Sequence, residues 1–86
     1  MPLKRGRIVC SAAGRDKGKF MIVMDSNESS VVICDGKERP ISRQKRKNIK
    51  HVFLTEAFVS EEQLKTDRSI RHALNDFKAN NAKGEI

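Results

Sequence analysis

Gly6-Arg7-Ile8-Val9-Cys10-Ser11-Ala12-Ala13-Gly14-Arg15-Asp16-Lys17-Gly18-Lys19-Phe20-Met21-Ile22-Val23-Met24 is the stretch on which the fold turns. Residues 7–11 form a short run rich in β-branched side chains. Gly14 and Gly18 then bracket a polar segment, Arg15-Asp16-Lys17, before an apolar run resumes at Phe20. Glycine supplies the backbone freedom that a tight reversal needs, so the segment reads as strand, loop, strand. The run Phe20-Met21-Ile22-Val23-Met24 does not alternate, and by periodicity alone it could be helical. Its brevity and its flanking glycines and Asx residues favour a strand covered on both faces, as in a small barrel with packed neighbours.

Outward from this stretch the same signals recur. Asp25-Ser26-Asn27-Glu28-Ser29 is made of turn formers, residues 31–34 form a third strand, and Asp35-Gly36 signals a tight hairpin turn. A fourth strand is expected over residues 37–41, at an edge or ending at Pro40, because proline cannot donate to a ladder. Residues 42–50 hold Arg43, Lys45, Arg46, Lys47 and Lys50, a density at which mutual repulsion favours an exposed loop or arm. Residues 51–54 read as a short closing strand. Ser60 and Gln63 match a capping box, with Val59 able to staple on Leu64, so a helix is expected to start at Ser60. Ile70, Ala73, Leu74 and Phe77 line one stripe of it, with Arg68, Arg71, Asn75 and Lys78 mostly outside, and Asn80, Asn81 and Gly84 should end it. The stripe would cover the barrel or a partner.

Composition bounds what such a chain can do. Its 86 residues suffice for one compact domain, since a chain of this size buries only about 60 to 65% of its unfolded surface. With 37% hydrophobic residues and no Trp or Tyr, the core is modest and a large ligand cavity is not expected. The net charge is +7, distributed as +5 over residues 1–20, −3 over 21–36, +6 over 37–51 and −1 over 52–86. Two basic blocks of this kind favour polyanionic partners, because Lys and Arg displace counterions condensed on phosphate. Cys10 and Cys34 are too few for the disulfide framework of a small secreted domain, which points to a reducing cytoplasm. Although residues 1–7 are basic, no long apolar run follows, so neither a signal peptide nor a membrane-spanning helix is expected.

Residues 6–19, the apolar strand after them and the later Val31-Val32-Ile33-Cys34-Asp35-Gly36 together resemble the KOW motif of ribosomal proteins and transcription elongation factors. The chain is most similar to short bacterial KOW-domain RNA-binding proteins, related to an archaeal and eukaryotic large-subunit ribosomal protein family that begins with such a barrel. The segment Asp67-Arg68-Ser69-Ile70-Arg71-His72-Ala73-Leu74 resembles theirs too, and the likeness spans roughly residues 4–78. It implies a mainly β fold, a small SH3-like (KOW) barrel with a C-terminal α-helix. The barrel would occupy residues 1–58 with the basic arm at 42–50, the helix 59–79, and a flexible tail 80–86. It also implies that basic loops bind structured RNA, or RNA and protein together.

The candidate RNA contacts are Lys4, Arg5, Arg7, Arg15, Lys17, Lys19, Lys37, Arg39, Arg43, Lys45, Arg46, Lys47, Lys50 and His51. Gly14 and Gly18 either shape a hairpin or also let the main chain approach a sugar-phosphate backbone. Phe20, Phe53, Phe58 and Phe77 sit among apolar neighbours and read as core, which favours recognition of folded RNA by shape over stacking of unpaired bases. Cys10, Cys34, His51 and His72 lack the CxxC or HxxxH spacing that anchors zinc, and the cysteines read as small buried hydrophobes. Neither a paired-carboxylate site nor a Gly-rich nucleotide loop is evident, and Ser11, Ser42 and Ser60 lack a recognisable base and oxyanion context, so catalysis is not expected. No cofactor is expected. The leading expectation is a monomeric, cytoplasmic, non-catalytic protein that associates with ribosomal RNA or the ribosome, with ribosomal proteins as further partners through the helix. The alternatives are a protein-interaction module of the polymerase-docking type and a binder of duplex DNA.

Overall fold

A computed structural model describes residues 4–84, with side chains described to residue 80. Residues 1–3 of the expected barrel segment and 85–86 of the expected tail lie outside the described residues. Five antiparallel strands, β1 (Arg7–Ser11), β2 (Phe20–Ser26), β3 (Ser30–Cys34), β4 (Lys45–Asn48) and β5 (Val52–Phe58), form one sheet in the order β4-β3-β2-β1-β5, and a helix, α1 (Asp67–Gly84), follows. The fold is mainly β, a small barrel-like sheet with a C-terminal helix.

Both faces of the sheet are buried, which is why β2 does not alternate. Met21 and Val23 join Val9, Val31, Ile33 and Val52 in one cluster, to which Ile49 adds. No second layer covers that face among the described residues, so the sheet curls to bury it against itself. Ile22 and Met24 point the other way and pack with Ile8, Cys34, Leu64, Ile70, Ala73 and Leu74 under α1. Burying each such Ile or Leu side chain contributes roughly 1.5–3 kcal/mol. An irregularity in the β2–β3 register between Val23 and Asp25 leaves Met24 unpaired, so that Asp25 stands opposite half-buried Val32 and stays exposed.

The closing strand runs over Val52–Phe58 and not 51–54, and two larger differences from the sequence expectation stand beside it. Residues 37–41 are not a strand. The Asp35 carboxylate accepts the N–H groups of Lys37 (2.9 Å) and Arg39 (2.8 Å), which folds residues 35–39 into a closed loop, and Pro40 then precedes a single 3-10 turn, Ile41–Arg43. The fourth strand is the basic segment itself: Lys45, Arg46, Lys47 and Asn48 pair with Ile33, Val32, Val31 and Ser30. Repulsion does not prevent this, because β4 is an edge whose side chains reach water, and edge strands are where lysine is best tolerated.

The helix is the second correction. The Ser60 capping box forms, with Ser60 N–H donating to Gln63 Oε1 at 3.0 Å, but it caps only a 3-10 turn, Glu62–Leu64. A helix continuous from Ser60 would place Leu64 six residues before Ile70, well off its stripe. A break at Lys65 and Thr66 lets both side chains reach the sheet. Thr66 then caps α1, its Oγ1 accepting the Ser69 N–H at 3.0 Å, and α1 runs through Asn80 and Asn81 to Gly84.

Candidate nucleic-acid interface

The loop between β1 and β2 is held from two sides. Gly14 (φ +78°) and Gly18 (φ +85°) both adopt the left-handed backbone that glycine favours, and between them Gly14–Asp16 makes one 3-10 turn. On one flank Ala12 N–H donates to the His51 carbonyl at 2.7 Å, and Lys47 Nζ reaches from β4 to the Ala13 carbonyl at 2.9 Å. On the other, Arg39 Nη2 lies 3.3 Å from Asp16 Oδ2, and Lys19 Nζ pairs with Glu38 Oε1 at 2.8 Å. Asp16 is only 2% exposed, so it fastens the loop and leaves its neighbours Arg15 and Lys17 in solvent. The two basic blocks of the sequence therefore meet across this loop.

Placement divides the expected RNA contacts. Arg15, Lys17, Lys45, Arg46, Lys47 and Lys50 have no carboxylate partner among the described residues. All but Lys47, which is half-buried, are exposed, and Arg46 donates to Ser30 Oγ at 2.8 Å. His51 is exposed beside them, in the turn Ile49–His51 that joins β4 to β5. Lys37 and Arg43 are exposed nearby, in the loop and turn that precede β4. Gly18 would have nothing within 4 Å of an added Cβ, and Gly14 only Lys47 Nζ at 3.5 Å, so both main-chain positions stand open.

The remaining cations, Lys4 excepted, are held by the protein itself. Arg5 pairs with Glu61 (2.9 Å) and donates to the Met24 carbonyl; Arg7 donates to the Thr55 carbonyl (2.7 Å) and lies 5.0 Å above the Phe58 ring. Both stand at the start of β1, a strand's length of about 13 Å from the loop, and exposed Lys4 precedes them. Lys19 is raised above the ordinary lysine pKa chiefly by its hydrogen bond to Glu38, so it stays charged but engaged.

Two side chains read as core are not. Phe53 is 66% exposed and Phe58 51%, with Leu54 at 53%, all on β5, the other edge of the sheet. Phe20 and Phe77 do pack, edge to face, with ring centroids 5.0 Å apart. Edge position depends on strand order, and no local sequence signal reports it. Cys34 is buried beneath α1 and Cys10 half-buried on β1, both as free thiols, and His72 is exposed on α1. No cluster of three or more His, Cys, Asp or Glu is placed to hold a metal ion among the described residues. No described helix is long and apolar enough to cross a membrane. No protein-family model matches the chain.

Proposed function

We propose that the chain is a non-catalytic RNA-binding module of the KOW type, acting in the cytoplasm as a monomer on ribosomal RNA or the ribosome. The observation that carries this reading is the Lys47 Nζ to Ala13 carbonyl contact, which brings β4 against the β1–β2 loop and so places unneutralised cations of the two elements near one another. Arg15 and Lys17 from the loop, Lys45 and Arg46 from the strand, and Lys50 from the turn offer point and fork donors to successive phosphates. A rigid barrel fixes their spacing, so recognition would follow the shape of a folded RNA. The apolar stripe of α1 is spent on the sheet, and what it offers a ribosomal protein is its polar face, including Arg68, His72 and Asn75.

With about 4 to 6 phosphates contacted, log affinity should fall against log salt with a slope near −3 to −5. Reversing Lys45 and Arg46 to Glu should weaken binding and flatten that slope by about 2. Purified ribosomal RNA, titrated at several salt concentrations with circular dichroism as a folding control, gives the answer. Unchanged affinity at moderate salt rejects the assignment, and equal affinity for a competing DNA duplex replaces it with general duplex binding. A second reading, docking on polymerase or another protein, is favoured by the exposure of Leu54 and Phe58 on β5. Loss from ribosomes in a high-salt wash, with retention on polymerase, would select it.

A further inference from the structure

We infer that Phe53 is a stacking platform for an unpaired nucleobase, and that the RNA preferred by this surface carries a bulge or loop beside a duplex. The inference rests on the RNA reading above and adds what that reading lacks, a contact to a base. Among the four phenylalanines, Phe20 and Phe77 cover each other, and Phe58 has its ring under the Arg7 guanidinium. Phe53 alone has neither a ring nor a cation against it among the described residues, and it is the most exposed of the large apolar side chains.

Its position ties it to the phosphate-binding groups. Phe53 stands directly opposite Cys10, and Cys10 opposite Phe20, so the three share one face of the sheet. One residue further along, Val52 pairs with Ser11, and Ala12 is bonded to His51, which brings this end of β5 to the start of the basic loop. Lys50 and His51 lie three and two residues before Phe53, and the space beside Gly18 is open. A strand whose phosphates lie on Lys50 and Arg15 thus passes within reach of the ring, and the charge of its surroundings selects a polyanion over an apolar peptide. A base held inside a duplex presents only its edge, whereas an extruded one offers the face that an aromatic ring accepts.

The test compares a short, fully paired RNA duplex with the same duplex carrying one unpaired adenosine, for the wild type, Phe53→Ala, Phe53→Leu and Phe53→Trp. Wild type should prefer the bulged RNA by about 10-fold, the scale of one base stacked on an aromatic side chain. Phe53→Ala and Phe53→Leu should erase that preference without changing affinity for the paired duplex or its salt slope, and Phe53→Trp should keep it. Preference retained in Phe53→Ala, or absent from wild type, overturns the platform while leaving the phosphate contacts standing. Failure of wild type to bind either RNA overturns both. Sedimentation of the same variants gives the remaining outcome: a wild-type dimer lost in Phe53→Ala, with no RNA preference, would make Phe53 a contact between copies and overturn the inference. Should Phe53→Ala fold poorly, the comparison of Phe53→Trp with Phe53→Leu decides alone.

Discussion

Gly36→Ala should be among the most damaging small substitutions in this chain, for reasons that can be worked from its surroundings. Gly36 has φ +77°, and a Cβ there would strike the carbonyl oxygen of Asp67 and come 3.1 Å from Arg71 Cγ. The left-handed backbone costs an alanine roughly 1–2 kcal/mol. Overpacking adds about 1–3 kcal/mol more, because the obstructing atom is main chain at the first residue of α1 and cannot swing aside. The same movement would strain the bond from Arg71 Nη1 to the Gly36 carbonyl, 2.6 Å long. Together these come to about 2–5 kcal/mol, against a total stability of about 4–13 kcal/mol for a domain of this length. Melting temperature should then fall by roughly 10–30 °C. Gly18 is the control, with φ +85° and nothing near its missing Cβ, so Gly18→Ala should cost only the backbone part, about 1–2 kcal/mol. Thermal melts of the two variants followed by circular dichroism decide the matter. Equal melting temperatures would refute the claim that the 35–39 loop is clamped against the start of α1.

Four further outcomes are expected. Lys45→Ala and Lys50→Ala should each flatten the log-log salt dependence of RNA binding by about 1, as loss of one phosphate contact does, whereas Arg5→Ala, already paired with Glu61, should leave it unchanged in the same titrations. Thr66→Ala should cost about 1 kcal/mol in urea unfolding by removing the cap of α1, and Ser60→Ala, which caps only a 3-10 turn, should cost less. Burial raises the Cys34 thiol above its ordinary value of 9.0. The unfolded chain therefore loses that proton first, and folded stability should decline as pH rises past the ordinary thiol value. A thiol reagent near neutral pH should modify half-buried Cys10 in the native protein and reach Cys34 only on unfolding; rapid native reaction of both would contradict the packing described.

The β elements were legible where turn chemistry is local. The strand-loop-strand of residues 6–24 could be read because Gly14 and Gly18 mark the reversal and because a barrel with a helix on its back buries both faces of β2. Apart from the 35–39 loop, closed locally by Asp35, what escaped depended on partners distant in sequence. Lys45, Arg46 and Lys47 became a strand only because β3 offers an edge to pair with, and the capping box at Ser60 lost the helix start to Thr66 because Leu64 and Ile70 must both reach the sheet. For the candidate site, charge density pointed to both basic blocks but could not say which cations the protein keeps for itself. Arg5, Lys19 and Arg39 are taken by Glu61, Glu38 and Asp16, carboxylates that lie 19 to 56 positions away. Phe53 was misread for the same reason, since only strand order makes β5 an edge.

β4 has a consequence beyond ligand contact. An open sheet border invites the border of another copy, and here that border carries three adjacent cations, Lys45, Arg46 and Lys47. Like charges keep two molecules apart only while counterions are dilute, since the repulsion fades as the Debye length shrinks to about 3 Å at molar ionic strength. Concentrated salt, the usual means of stripping polyanions during purification, would thus lift this barrier, and preparations cleaned most thoroughly would be the first to pair along that border.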